Sequence, residues 1–153
     1  MSRIFELIDA DDAQGVRDLL AASPAAAAEH DEQGLSVVMR AAYRRSDVLD
    51  AVRAADPPLG PFDRIVFGES DGLPAPDAWT PDGFTPLHIA AFVRNTEAAR
   101  RLLEAGADPN AFATAPFARV TPLGTCAFAG ADEVAELLLA YRADPTLTEA
   151  PAP

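Results

Sequence analysis

Lysine is absent from this chain of 153 residues: all twelve basic side chains are arginine, set against twenty-four acids for a formal net charge of −12. That balance argues against direct binding to DNA or RNA, which needs a basic footprint on the protein. It also disfavours an anionic membrane surface. A basic partner would instead be drawn in by long-range attraction. Without lysine, no side chain is available for acetylation, and a phosphate-binding GxxxxGK loop is impossible. Cysteine occurs once, at Cys126, which forbids an internal disulfide and fits a reducing compartment. Two histidines, His30 and His88, have no metal-ligand spacing, so no metal is expected. No apolar run approaches the length of a membrane span. The start, MSRIFELIDADD, turns acidic early and has no apolar centre, so no secretory leader is expected there and the expected location is cytoplasmic.

What the chain has is apolar content and repetition. Hydrophobic residues make up 49%, enough to build a core, and the length suits a single domain. Thr85-Pro86-Leu87-His88 lies over Thr121-Pro122-Leu123-Gly124 at an offset of 36 residues. At that offset Ala91-Phe92 falls on Ala127-Phe128, Leu102-Leu103 on Leu138-Leu139, and Ala107-Asp108-Pro109 on Ala143-Asp144-Pro145, with no gap. A weaker copy starts at Asp31-Glu32-Gln33-Gly34 and continues through Ala41-Ala42-Tyr43 to Val48, Leu49 and Val52. A first copy without its turn runs from Ile4 to Leu20. Residues 62–67 resemble the first copy, but Pro74 and Pro76 forbid a second helix there, so 57–80 reads as a degenerate repeat.

The copy that begins at Thr85 carries clear helix punctuation. Thr85 offers a capping hydroxyl ahead of Pro86 at the first helical position. Leu87, Ala90 and Ala91 recur at helical spacing, as do Ala98, Ala99, Leu102 and Leu103. Gly106 stands where a left-handed residue would end the second helix. One unit alone leaves an apolar face bare, so several must stack.

Gly83, Thr85-Pro86-Leu87-His88, Ala90-Ala91, Leu102-Leu103 and Gly106-Ala107-Asp108 with Asn110 together resemble the ankyrin repeat. The resemblance implies an all-α solenoid of about four to five stacked helix-turn-helix repeats with short β-turn tips, one of them degenerate. The repeats run over 1–29, 31–56, 57–80, 82–112 and 120–148, forming one domain over 1–148, with a disordered tail at 149–153. It further implies that His88 is structural, bracing its turn by hydrogen bonds, and that partners bind at turn tips and along the exposed face of each first helix.

Carried over residue by residue, that face gives Tyr43 and Arg44, Val66, Phe92 and Val93, and Phe128. The tips give Glu32, Gln33, Asp82, Phe84 and Phe117. Tyr43, Phe92 and Phe128 are aromatic at positions where folding does not ask for it, and aromatics dominate interface hot spots. No nucleophile–base pair and no cofactor fingerprint is found, so neither a catalytic residue nor a cofactor is expected. The reading is a non-enzymatic module for a basic protein partner, with an antitoxin- or immunity-type inhibitor as its sharper form. The alternatives are a structural subunit of a homo-oligomer and an enzyme with its site in 57–81. The oligomeric state is left open, with a monomer as the expectation.

Overall fold

In a computed structural model the described residues are 2–44 and 47–147. The expected tail at 149–153 lies outside them. Among the described residues the structure is helical, with no β-strand and only two isolated bridges, His30 to Ser36 and Ala115 to Ala118. The chain divides into two compact units, Met1–Asp63 and Arg64–Pro153.

The first unit holds α1 (Arg3–Asp9), α2 (Ala13–Ala22), a 3-10 turn (Pro24–Ala28), α3 (Val37–Ala42) and α4 (Asp47–Ala54). Helix α1 packs on α2 and α3 on α4; across repeats α1 meets α3 and α2 meets α4. The core between them is Ile4, Phe5, Ile8, Val16, Val37, Val38, Val48 and Val52, all fully buried. The alanines at 41, 42 and 51 are buried too, and their small size lets short helices approach. The division between units falls inside α5 (Pro61–Val66).

The second unit continues with α6 (Pro86–Phe92), α7 (Thr96–Glu104), α8 (Pro122–Ala129) and α9 (Asp132–Ala140). The same pattern holds: α6 on α7, α8 on α9, α6 on α8 and α7 on α9. Leu87, Ile89, Ala90, Ala98, Leu102, Val134 and Leu138 fill its core.

Caps decide where these helices begin. The hydroxyls of Ser36, Thr85 and Thr121 each accept the backbone N–H three residues on, starting α3, α6 and α8. The side chains of Asp12 and Asn95 do the same for α2 and α7. Before the caps of α2, α7 and α9 one residue turns left-handed: Asp11 at φ 55°, Arg94 at φ 58° and Gly130 at φ 68°. One such residue reverses the chain between paired helices at small length. Gly106, at φ 100°, follows α7 as the sequence predicts.

The degenerate repeat keeps only its first helix. After α5 the chain runs without helix through the proline-containing stretch, and α7 holds it down by side-chain bonds. The Asn95 amide donates to the carbonyls of Ile65 (3.1 Å) and Glu69 (2.9 Å), while its own oxygen caps α7. Arg101 donates to the Ser70 carbonyl and pairs with Asp71 at 2.6 Å. The Glu69 and Ser70 carbonyls gain side-chain donors in this way, and the Ile65 carbonyl, which already accepts the Gly68 N–H, gains a second.

Candidate functional site

His88 is the residue whose chemistry needs settling first. It is 1% exposed, and both ring nitrogens are engaged: Nδ1 lies 2.7 Å from the Thr85 hydroxyl, and Nε2 lies 2.8 Å from the Val120 carbonyl. The Thr85 N–H also reaches Nδ1, closing a reciprocal cap at the start of α6. Burial pushes the imidazole down to about 4, against a smaller opposing pull from the Val120 carbonyl. A neutral ring bonding one repeat's cap to the next repeat's turn is a brace, as the resemblance implies.

Cys126 is 3% exposed, and burial with the nearby Asp132 charge pushes its thiol up to about 12. It packs as a small apolar group and has no thiolate character. Among the described residues, no group of three or more His, Cys, Asp or Glu is placed to hold a metal ion, and no helix is long and apolar enough to cross a membrane.

The second unit carries the most exposed aromatic surface. Phe128, on α8, is 75% exposed and stacks on Phe92 of α6, with ring centroids 6.3 Å apart and planes 12° from parallel. Phe92 and Val93 are both half-buried. Phe117 is 74% exposed and stands edge-on to Phe84 at 5.8 Å. It tops a bulge between Ala115 and Ala118, pinned where the Ala113 N–H donates to the Val120 carbonyl. The three extra residues before Thr121 make this bulge. Trp79, five residues before Phe84, is half-exposed.

Two of the sequence-predicted surface residues lie inside instead. Phe84 is only 9% exposed. Its ring sits 5.9 Å from His88 under Phe117, and its N–H donates to the Thr80 hydroxyl at 2.9 Å. A tip residue whose amide closes the turn has its side chain directed at the helix below. Val66 is 5% exposed. Its surface position was carried over from complete repeats, and α5 lacks the Ala-Ala pair and second helix that set that register. Asp82, at the same turn, is half-buried and accepts the Thr80 hydroxyl at 2.6 Å.

In the first unit, Tyr43 is half-buried as the C-terminal cap of α3, while Glu32 and Gln33 are exposed at their turn. Arg44 is exposed, but its guanidinium donates to the carbonyls of Ile8 and Asp9 at the end of α1. That is a structural bond that the resemblance did not foreshadow. Arg40 was also missed. It pairs with Asp9 and, at 2.7 Å, with Asp31, and lies over the Phe5 ring at 5.7 Å. Burial works against the Asp31 charge, yet the hydrogen bond from Arg40 and the N–H groups of Leu35 and Gln33 outweigh it and hold the carboxyl below its ordinary value. The spacing of Asp31 and Arg40 across one turn and one helix is the sequence signal that could have shown this pair.

A family model described as ankyrin repeats in three copies matches residues 71–149, just over half of the chain. Over 73 residues the chain is 49% identical to neurogenic locus notch homolog protein 4 of Homo sapiens. That stretch is 47% of this chain but 4% of the human protein, so the chain spans a small fraction of that relative's length.

Proposed function

The chain belongs to the ankyrin-repeat family, whose repeats generally mediate protein–protein interaction, and on that premise we propose that it is a non-enzymatic module docking a basic protein partner through the aromatic surface of α6 and α8. The single observation behind this is Phe128: a phenylalanine three-quarters exposed, stacked on Phe92, at a position that the core does not use. A side chain of that size held in water is a cost unless a partner covers it. Phe117, against Phe84 near the start of α6, is a second exposed aromatic in the same unit, and Phe92 and Val93 are half-buried. The net charge of −12 steers a basic partner toward it. A cytosolic inhibitor that masks a basic enzyme, as antitoxins and immunity proteins do, is the sharpest form of this reading.

The test pairs native protein with a Phe117→Ala/Phe128→Ala variant as baits, both checked for folding by circular dichroism. A basic protein bound by the native bait and lost from the variant supports the reading. Equal binding by both places the interface elsewhere. No partner, with a concentration-dependent dimer in light scattering that the variant abolishes, replaces it with self-association.

A further inference from the structure

The first unit contains a cavity of about 240 Å³ that the aromatic surface does not involve. Its walls include Ala28, Val38 and Leu59, and three polar residues join them: His30, Ser36 and Asp63. Asp63 is 6% exposed. One carboxylate oxygen accepts the Gly60 N–H at 2.9 Å and the other the Ser36 hydroxyl at 2.6 Å. Both donors are neutral. Among the described residues no arginine pairs with Asp63, whereas Asp9, Asp31, Asp71 and Glu69 each have one.

Serine, histidine and aspartate lining one cavity invite comparison with a nucleophilic triad, and the hydrogen bonds rule against it. The Ser36 proton points to Asp63, and its oxygen accepts the Met39 N–H at 3.1 Å as the cap of α3. A nucleophile would give its proton to the imidazole, with the carboxylate behind the ring. Ser36 instead fixes the orientation of Asp63.

A buried carboxylate with two neutral donors keeps acceptor capacity on both oxygens. The carboxylate is buried at the floor, while Ala28, His30 and Pro58 are exposed at the rim, so a cation can enter from solvent and meet it there. The volume suits one side-chain-sized group and is too small for a nucleotide or flavin. The apolar walls suit an alkyl stem. We propose that this cavity is a binding site for an alkyl cation, a guanidinium or ammonium group on a short apolar stem, with Asp63 as its counter-ion. The two sources of that chemistry are a free small amine and an arginine or lysine side chain of a protein. The inference does not rest on the aromatic surface and survives the failure of that reading.

The experiment titrates n-butylguanidinium into the ¹⁵N-labelled full chain and follows amide shifts. n-Butylurea, of the same shape but neutral, is the control. Saturable shifts at residues 27–39 and 58–63 with the cation, and at least about tenfold weaker response to the urea, are expected from loss of a charge-assisted bond. Asp63→Asn should weaken cation binding by a similar factor. Because that variant could loosen the start of α5, Ala28→Leu serves as a second: it fills the cavity and leaves the carboxylate intact, and it too should abolish the shifts. A blocked Gly-Arg-Gly peptide separates the sources, binding tighter than butylguanidinium if a protein side chain is the occupant and weaker if a free amine is. Equal shifts with the urea, no saturation in the native chain, or undiminished binding by a folded Ala28→Leu chain would overturn the proposal.

Discussion

The buried histidine makes stability depend on pH in a window that few other groups share. In the unfolded chain an imidazole takes up a proton near 6.5, while folded His88 does so only at about 4. The folded form therefore refuses a proton that the unfolded form accepts. Above 6.5 neither form is charged and nothing changes. As the pH falls below 6.5, the unfolded state gains proton binding that the native state lacks, and stability drops until about 4. Linkage makes the loss about 2 kcal/mol between pH 7 and pH 5, rising to about 3 kcal/mol below pH 4. The depressed carboxyls of Asp31 and Asp144 act in the same direction but lower, since their contribution is lost only as pH falls below the ordinary 3.8. Urea unfolding of native protein and of His88→Gln at the two pH values isolates the effect. The native chain should lose about 2 kcal/mol more than the variant on going from pH 7 to pH 5. Identical pH dependence in the two proteins, or His88 titrating at the ordinary value by NMR, would refute the reasoning.

Asn95→Ala removes one helix cap and the side-chain donors to the Glu69 carbonyl and to the Ile65 carbonyl, which keeps the Gly68 N–H, and should destabilise the chain by about 2–3 kcal/mol in urea unfolding, with faster amide exchange over 65–71. Gly83→Ala should cost clearly more than Gly106→Ala. Both glycines have φ near 100°, but a Cβ at 83 would sit 2.6 Å from the Ala115 nitrogen, while at 106 it meets open space. Thermal melts of the pair give the order, and equal melting temperatures would show that the turn can shift. Cys126 should resist iodoacetamide in native buffer and react only on unfolding, since its thiol is buried and its ionisation pushed up to about 12.

Much of the fold could be read before any coordinates because it depends on period and punctuation. Thr85-Pro86 and Thr121-Pro122 start helices wherever they stand, since a hydroxyl cap and a fixed φ are local properties. The apolar stripes of α6 and α7 repeat at helical spacing, and Pro74 and Pro76 keep a helix from running through the stretch they occupy. The role of His88 followed from the resemblance and is met by bonds to Thr85 and Val120. The exposure of Phe128 agrees with the surface position that the resemblance implies.

What stayed hidden has a common cause: side chains bonded to backbone or to charges some thirty residues away, at spacings that no periodicity encodes. Arg44 reaches carbonyls 35 and 36 residues back, Asn95 reaches back 26 and 30, and Ser36 meets Asp63 across 27. Arg44 was expected at the surface and is exposed, and Ser36 and Asn95 are helix caps. The second partner becomes visible only when neighbouring repeats are set side by side. The same limit explains Val66 and Phe84. A family register assumes that every repeat is complete and every tip points outward, and it fails where α5 lacks its partner helix and where Phe117 folds over the turn. In a repeat protein the regular copies are therefore the legible ones. The irregular ones, here 57–80 and the bulge before Thr121, are where one chain departs from its family. The cavity beside Asp63 is lined in part by the first of these segments and the exposed Phe117 tops the second, so both candidate sites draw on the parts of the chain that repetition does not determine.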